Sequence, residues 1–434
     1  MRATRVLCVL LVIASCGEAD PGPDAVPTQA FVGATIFDGT GSSPVPDAVL
    51  LIRDGRVEAV GPRATTEIPE AAQVIDLTGR YVIPGLINAH GHVGGTRGLE
   101  SGPEHFDREN IQDQLALYAR YGVTTVVSLG GDGETDIAIR LEQAGAVPDR
   151  ARLYVAGPVL APTTPDEARE QVRSAAASGV DWIKIRVDDN LGQGSKMPEP
   201  VYRAVIEEAT AHGLPVAAHV VYLEDAHGLV RAGVKLLAHS VRDRAVDEEL
   251  IRAMRERDVC LSPTLTREIS TFVYRERPAF FDDPFFLAEA DTAVMRGLED
   301  PDRQRRVGED RGGQFWEAAL PTAERNLNIL ADAGVGIAFG TDSGPVARFQ
   351  GYFEHLEMWM MADAGLSPAA VLRSATADAA RCMGLDAELG TLTPEKWADF
   401  IVLERDPIAD IRNTRTLESV WIAGTRVAPR PGAT

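Results

Sequence analysis

Eight short apolar runs separated by helical stretches constrain this chain more than any other feature. They read GLINAH, VTTVVSL, RLYVAG, WIKIRV, PVAAHV, KLLAHS, VCLSPTL and GIAFGTD, and they fill the middle of the 434 residues. Between them lie patterns such as NIQDQLALYARYG and PVYRAVIEEATAHG, whose apolar residues recur at helical spacing. Alternation of this kind specifies parallel strands covered by helices. Eight such units fit a (β/α)8 TIM barrel, so the expected fold class is α/β.

The flanks have another texture. FVGATIFDG, AVLLIRDGRVEAVG and QVIDLTGRYV near the start, and ADFIVLERDP and ESVWIAGTRVAP near the end, are β-rich runs broken by turn dipeptides. They predict a small β-sandwich built from both termini, residues 29–82 and 386–430, around a barrel over 83–385. One connection is abnormal: about seventy residues separate VCLSPTL from GIAFGTD, far beyond an ordinary connection, which predicts a helical insertion at about 267–333. It carries Phe272, Tyr274, Phe280, Phe281, Phe285 and Phe286. A loop after a barrel strand lies on the face that holds barrel active sites. The insertion is therefore read as a lid or substrate wall, or else as a packed helical excursion.

The first residues, MRATRVLCVLLVIASCGEADPG, are expected to lie outside the fold. Arg2 and Arg5 make a basic start, and Val6 to Ile13 form an apolar run too short to span a bilayer. Ile13-Ala14-Ser15-Cys16 resembles a bacterial lipobox. The expectation is a lipoprotein signal peptide over 1–15, lipidation of Cys16, and a flexible Pro- and Gly-rich tether over 16–28; an ordinary signal peptide cut nearby is the alternative. The protein would then be exported and held to a membrane through lipid alone, in the periplasm or at the cell surface. The formal charge of −21 argues against a nucleic-acid partner. Cys260 and Cys382 lie far apart in sequence with no cysteine framework around them, and two buried thiols are expected. A homo-oligomer is left open.

The chemistry concentrates at strand ends. In NAHGH, His90 and His92 are two residues apart, so in a strand they point to one side. Neutral imidazoles so placed are a natural pair of metal ligands, although a pair at one strand end is weak evidence alone. His219 ends PVAAHV, His239 ends KLLAHS and Asp342 ends GIAFGTD, and a barrel gathers those ends. His105, His212, His227 and His355 do not fit this pattern and are read as surface or packing residues. In DWIKIRV, Ile183, Ile185 and Val187 share the face that must meet helices, so Lys184 points into the barrel. Burial lowers an ammonium's pKa; pairing with a buried carboxylate is the other account of such a lysine.

These pieces together resemble the amidohydrolase superfamily, in its imidazolonepropionase-related and Xaa-Pro-dipeptidase-like branch. The matching stretches are LIRDGRVEAVG, YVIPGLINAHGH, IKI around Lys184, AAHV, LAHS, FGTDSG and the tail SATADAARCMGLDAELGTLTPEKWADFIVLERDP. The chain departs from the pattern at Asn88, where an aspartate is usual, and at Glu395, where a glycine is customary. The resemblance implies two divalent metal ions, zinc by expectation, and carbon dioxide held as a carbamate on Lys184. His90, His92 and Asp342 would bind one ion, His219 and His239 the other, with the carbamate and a hydroxide between them. A protonated lysine would add repulsion beside two cations, whereas a carbamate offsets their charge.

The implied reaction is hydrolysis of an amide-type C–N bond, most readily in dipeptides or N-acyl amino acids. Zinc lowers the pKa of bound water to about 7, and Asp342 would act as general base and then acid. Arg186, Tyr222 and Arg242, each just past a strand end, are candidate contacts for a substrate carboxylate. The alternatives are a mononuclear zinc deaminase or cyclic-amide hydrolase of the same superfamily, or a non-catalytic surface lipoprotein. Against the deaminase, Tyr222 occupies the position where such enzymes keep a glutamate.

Overall fold

The computed structural model describes residues 28–143 and 149–427. The leader over 1–15, Cys16 and all but the last residue of the tether lie outside the described residues, as do 428–430. The chain opens with an antiparallel meander of β1 (Gln29–Ile36), β2 (Val45–Arg53) and β3 (Arg56–Pro62). Asp54 and Gly55 turn β2 into β3 with φ of 51° and 75°, the positive pair that Asp-Gly accepts in a two-residue hairpin. β4 (Gln73–Asp76) runs parallel to the first half of β1, and β5 (Tyr81–Pro84) parallel to its end.

Only Gly85 separates β5 from β6 (Leu86–Gly91), the first strand of the central parallel set. β7 (Thr96–Arg97) and β8 (Glu100–Ser101) form a short hairpin beyond it. β9 (Val123–Ser128) and β10 (Arg152–Val155) continue a sheet ordered β6-β9-β10. A second parallel sheet follows in chain order: β11 (Val159–Leu160), β12 (Ile183–Arg186), β13 (Val216–His219), β14 (Leu236–Ala238) and β15 (Cys260–Ser262). The amides of Asp181 and Trp182 join the two sheets by donating to the Val155 carbonyl, at 2.8 and 3.3 Å. On the other side, parallel bridges link Leu261 to Ile337 and Gly91 to Ser343. The result is a TIM-barrel-like α/β arrangement.

GIAFGTD therefore closes the ring through isolated bridges rather than as a regular strand. The cause is local: Asp342 adopts a left-handed φ of 58°, and the amides of Thr341 and Asp342 both donate to the His90 carbonyl. Alternation in DWIKIRV works as the pattern requires. Ile183 and Ile185 belong to the core shared with the helices, and Trp182 packs inside with Ala89, Ala217 and Ala338.

The insertion folds into helices Leu265–Ile269, Pro284–Leu287, Thr292–Leu298, Pro301–Glu309 and Arg311–Asp332, with 3-10 turns between the first two. Tyr274, Phe281 and Phe286 are buried. Their rings pack with Phe280, Phe349 and Tyr352, the last of these on the helix Tyr352–Asp363. Most of the aromatic content thus serves packing, while one edge of the cluster meets a cavity.

The last strands, β16 (Phe400–Leu403), β17 (Leu417–Ile422) and β18 (Thr425–Arg426), return to the first sheet, where β16 pairs antiparallel with β5. The sheet runs β18-β17-β16-β5-β1-β2-β3, with β4 branching from β1. Phe31 on β1 and Trp421 on β17 have ring centroids 4.8 Å apart. Three strand spacings in a flat sheet would hold those strands about 14 Å apart, so the sheet curls to bring its faces together.

Cys260 and Cys382 correct the expectation of two free thiols: the structure joins them in a disulfide, with Cα atoms 6.0 Å apart. Their separation of 122 residues hid a proximity that tertiary structure creates, because the helix Ala377–Met383 crosses the end of the barrel where β15 begins. No helix among the described residues is long and apolar enough to cross a membrane.

Candidate metal centre

Four imidazoles stand in a row at the C-terminal ends of the parallel strands. Ring centroids are 5.6 Å apart for His92 and His90, 4.9 Å for His90 and His239, and 4.3 Å for His239 and His219. Burial pushes His90 and His239 well below the usual imidazole range and His219 down to about 3. All three are therefore neutral at pH 7, the protonation state a metal ligand needs. His239 and Asp342 both sit at positive φ, 71° and 58°, a backbone state that non-glycine residues seldom hold without a reason. His239 directly follows β14, and Asp342 follows the bridged extended segment that closes the ring.

Hydrogen bonds fix which ring nitrogen is left over. His92 Nδ1 donates to the Gly130 carbonyl at 2.8 Å, so Nε2 turns a lone pair toward Asp342 Oδ1, 2.7 Å away. Two lone pairs at that distance repel unless a proton or a metal ion joins them. His219 Nε2 donates to Asp188 Oδ2 at 2.7 Å, leaving Nδ1 as its ligand atom. His239 Nδ1 meets the Thr264 hydroxyl at 2.6 Å, leaving Nε2. Buried His90 Nδ1 has no hydrogen-bond partner among the described residues. Ligand atoms of His90, His92 and Asp342 all lie within 4.8 Å of one another. A set of neutral nitrogens and one carboxylate, with partners orienting their far sides, fits a divalent ion.

Lys184 is 4 % exposed, and its Nζ lies 3.2 Å from His90 Nε2. Burial pushes its amine down to about 8. Burial alone would raise the Asp342 carboxyl, but Arg348 and His92 beside it hold it well below the usual carboxylate range. Arg348 contacts Asp342 Oδ2 directly.

A second layer of polar groups sets these side chains in place, and the sequence reading missed it. Asn88 Oδ1 accepts from the His90 amide at 2.9 Å, while its Nδ2 donates to Glu354 at 2.7 Å and to Thr341 Oγ1 at 3.0 Å. Glu354 also accepts from the hydroxyls of Thr341 and Ser343. The strand bearing the histidine pair is thereby tied to the segment bearing Asp342. Asp188 and Arg348 were missed as well; in an acidic chain rich in arginine, nothing local marks them out.

The three candidate substrate contacts separate. Arg186 is exposed, pairs with Asp188 at 2.8 Å and lines a cavity of about 690 Å³. Tyr222 donates to Asp189 at 2.8 Å, and Lys196 lies 4.0 Å from its ring centre; Asp189 and Lys196 line that same cavity. The Arg242 side chain is 0 % exposed. It pairs with buried Glu268 at 3.0 Å, donates to the carbonyls of Val220 and Ser240, and lies over Trp316. It is enclosed by protein, and among the described residues its Nη2 has no hydrogen-bond partner. His355 is buried between Tyr121 and Thr414, and His227 pairs with Asp247, as packing and surface residues do.

Comparison with known proteins places this geometry among relatives. The model of the "Amidohydrolase family" matches residues 81–427. An uncharacterized protein of Mycobacterium tuberculosis is 30% identical over 223 residues, which are 50% of this chain and 57% of that protein. The chain thus matches little more than half the length of that relative. An imidazolonepropionase of Streptomyces griseus is 24% identical over 91% of this chain and 95% of its own. Among solved structures, a Bifidobacterium longum protein provisionally named a prolidase superposes with a TM-score of 0.75 at 26% identity, covering 94% of this chain and 97% of its own.

Proposed function

The chain belongs to the amidohydrolase family, and we propose that it is a metal-dependent hydrolase of amide-type C–N bonds acting on dipeptides or N-acyl amino acids. The observation that carries this reading is the convergence of His90, His92, Lys184, His219, His239 and Asp342 at one end of the parallel strands. His90, His92 and Asp342 would hold one ion; His219 and His239 would hold a second, with Lys184 between them as a carbamate. Carbamate formation with carbon dioxide needs a free amine, and an ammonium whose pKa is lowered to about 8 supplies one readily near neutrality. Bound divalent ions, zinc in this reading, would supply Lewis-acid polarisation of a carbonyl and a water of lowered pKa.

The Asp342 carboxylate takes the proton of the attacking water and returns it to the leaving nitrogen. Arg348, on Oδ2, keeps that carboxylate ionised and pointed inward. Arg186 and the rim around Tyr222 would meet the polar part of the substrate, whereas enclosed Arg242 pairs with Glu268 and ties the Val220 and Ser240 carbonyls together. The dipeptide reading draws on the likeness to the prolidase-named structure. Likeness to imidazolonepropionases along almost the whole chain favours a cyclic amide as the second reading. We further read the curled terminal sheet as a β-sandwich domain, residues 29–82 and 386–430, beside a (β/α)8 barrel over 83–385. The lipobox-like Cys16 supports an exported, lipid-anchored enzyme.

The test is metal analysis and a hydrolysis screen on one preparation. About two metal ions per chain, with release of amine from N-acyl amino acids or dipeptides, is the expected result. Full activity with metal near zero would end the reading; turnover confined to cyclic amides would select the second.

A further inference from the structure

The geometry points to Arg348 as the residue that receives a substrate carboxylate, with an apolar or aromatic side chain of the same substrate seated beside it. This rests on the amide-hydrolase reading above and names the substrate class. Arg348 lies six residues past Asp342, and its side chain is only 19 % exposed. Nε donates to Ser270 Oγ of the insertion at 3.0 Å, and Nη1 contacts Asp342; among the described residues no hydrogen bond reaches Nη2. The side chain lines a cavity of about 220 Å³ whose other walls include Leu117, Phe286, Val294, Phe349 and Tyr352. That cavity shares Thr96, Gly344 and Pro345 with a neighbouring one of about 210 Å³ that reaches His92. A continuous lining therefore leads from a metal-site imidazole to an aromatic recess with a guanidinium at its edge.

The buried charges around Arg348 leave room for an anion at its free edge, away from Glu289 and Asp291, which line the same cavity. Arg242, Arg267 and Arg348 stand against Glu268 and Asp342; Glu268 is shared by Arg242 and Arg267. When Asp342 also serves a metal ion, its charge is shared between that ion and Arg348, and the other groups that Arg348 meets, Ser270 Oγ and the Asp342 carbonyl, are neutral. An enclosed guanidinium is costly unless paired. A free carboxylate on the substrate completes the pair, and the aromatic recess takes the side chain next to it.

The experiment is calorimetric titration of the full chain, with its metal as purified, using 3-phenylpropanoate and its amide, 3-phenylpropanamide. The acid is expected to bind about thirtyfold more tightly, as a charge-assisted pair allows. Arg348→Met should bring the two within about threefold of each other, and Arg348→Lys should restore part of the preference. Val294→Trp, which fills the recess, should weaken 3-phenylpropanoate by about tenfold or more while sparing propanoate. An acid preference that survives Arg348→Met would mean that the metal holds the carboxylate, and the proposal fails. Undiminished binding of 3-phenylpropanoate to Val294→Trp also overturns it. Hydrolysis of N-acetylphenylalanine by the same samples judges the enzyme reading separately: the expected binding pattern without hydrolysis sinks only that reading, and hydrolysis indifferent to Arg348 sinks only this one.

Discussion

Asn88 shows how finely the site depends on single atoms. Its amide gives a hydrogen to Glu354 and takes one from the His90 backbone. An aspartate there would set a carboxylate against a buried carboxylate. Asn88→Asp should therefore cost about 2–3 kcal/mol of stability and lower metal content or activity by about tenfold, read by thermal denaturation and metal analysis. An unchanged melting temperature would mean that the Asn88–Glu354 contact carries no weight. Lys184→Ala makes a second test at this scale. Activity should fall by at least about a hundredfold, with partial recovery in short carboxylic acids that stand in for a carbamate; wild-type turnover would remove the lysine from the mechanism. Strand parity and the ends of apolar runs singled out the six groups of the candidate centre, because those positions specify direction. Glu354 was not legible in the sequence: it reaches Asn88 across 266 residues, and in a chain with 64 acidic residues no local pattern distinguishes it.

At the scale of elements, seven of the eight apolar runs are strands, and the eighth is extended backbone joined by bridges. Periodicity could not reveal this, since GIAFGTD has the composition of a buried strand; hydrogen bonding at Thr341 and Asp342 decides its shape. The aromatic insertion had two readings, and burial divides them, with the cluster packing inward and Phe286 reaching the cavity. Phe286→Ala should accordingly destabilise by about 3–4 kcal/mol, as a buried ring does. The helix Tyr352–Asp363 makes a pH-dependent join. Burial pushes the His355 imidazole down to about 4, whereas in the unfolded chain it titrates near ~6.5. Between those values the unfolded state binds the proton first. Stability is therefore complete above the unfolded pKa and declines as pH falls toward 4, by about 3 kcal/mol from this residue. Urea denaturation of wild type and His355→Gln at pH 7.5 and pH 5 checks this, and equal slopes against pH would refute it.

For the molecule as a whole, the alternation of apolar runs with helical stretches pointed to parallel strands, and β-texture at both ends to a β-sandwich shared by the two termini, where the structure shows a single curled sheet. Neither pattern carries information about which distant atoms meet, and the disulfide is the clearest instance. Cys260 lies at the start of a barrel strand and Cys382 on a helix near the end of the chain, so their pairing constrains the unfolded state through a loop of 122 residues. A cross-link of that span stabilises by up to about 4–5 kcal/mol in the chain-entropy account. It also couples stability to compartment, because such bonds persist in oxidising surroundings and not in a reducing cytosol. If residues 1–15 direct export and Cys16 takes lipid, the exported form should resist thiol alkylation and remain with membranes, while Cys16→Ser should be released from them. A form lacking residues 1–15 and kept in the cytosol should alkylate at both Cys260 and Cys382. It should melt several degrees lower, matching exported protein treated with reductant, since about 1 kcal/mol moves a large domain by a few degrees. Equal melting temperatures for the oxidised and reduced forms would show that the bond contributes nothing to the fold. Complete alkylation of the exported protein would show that it does not form.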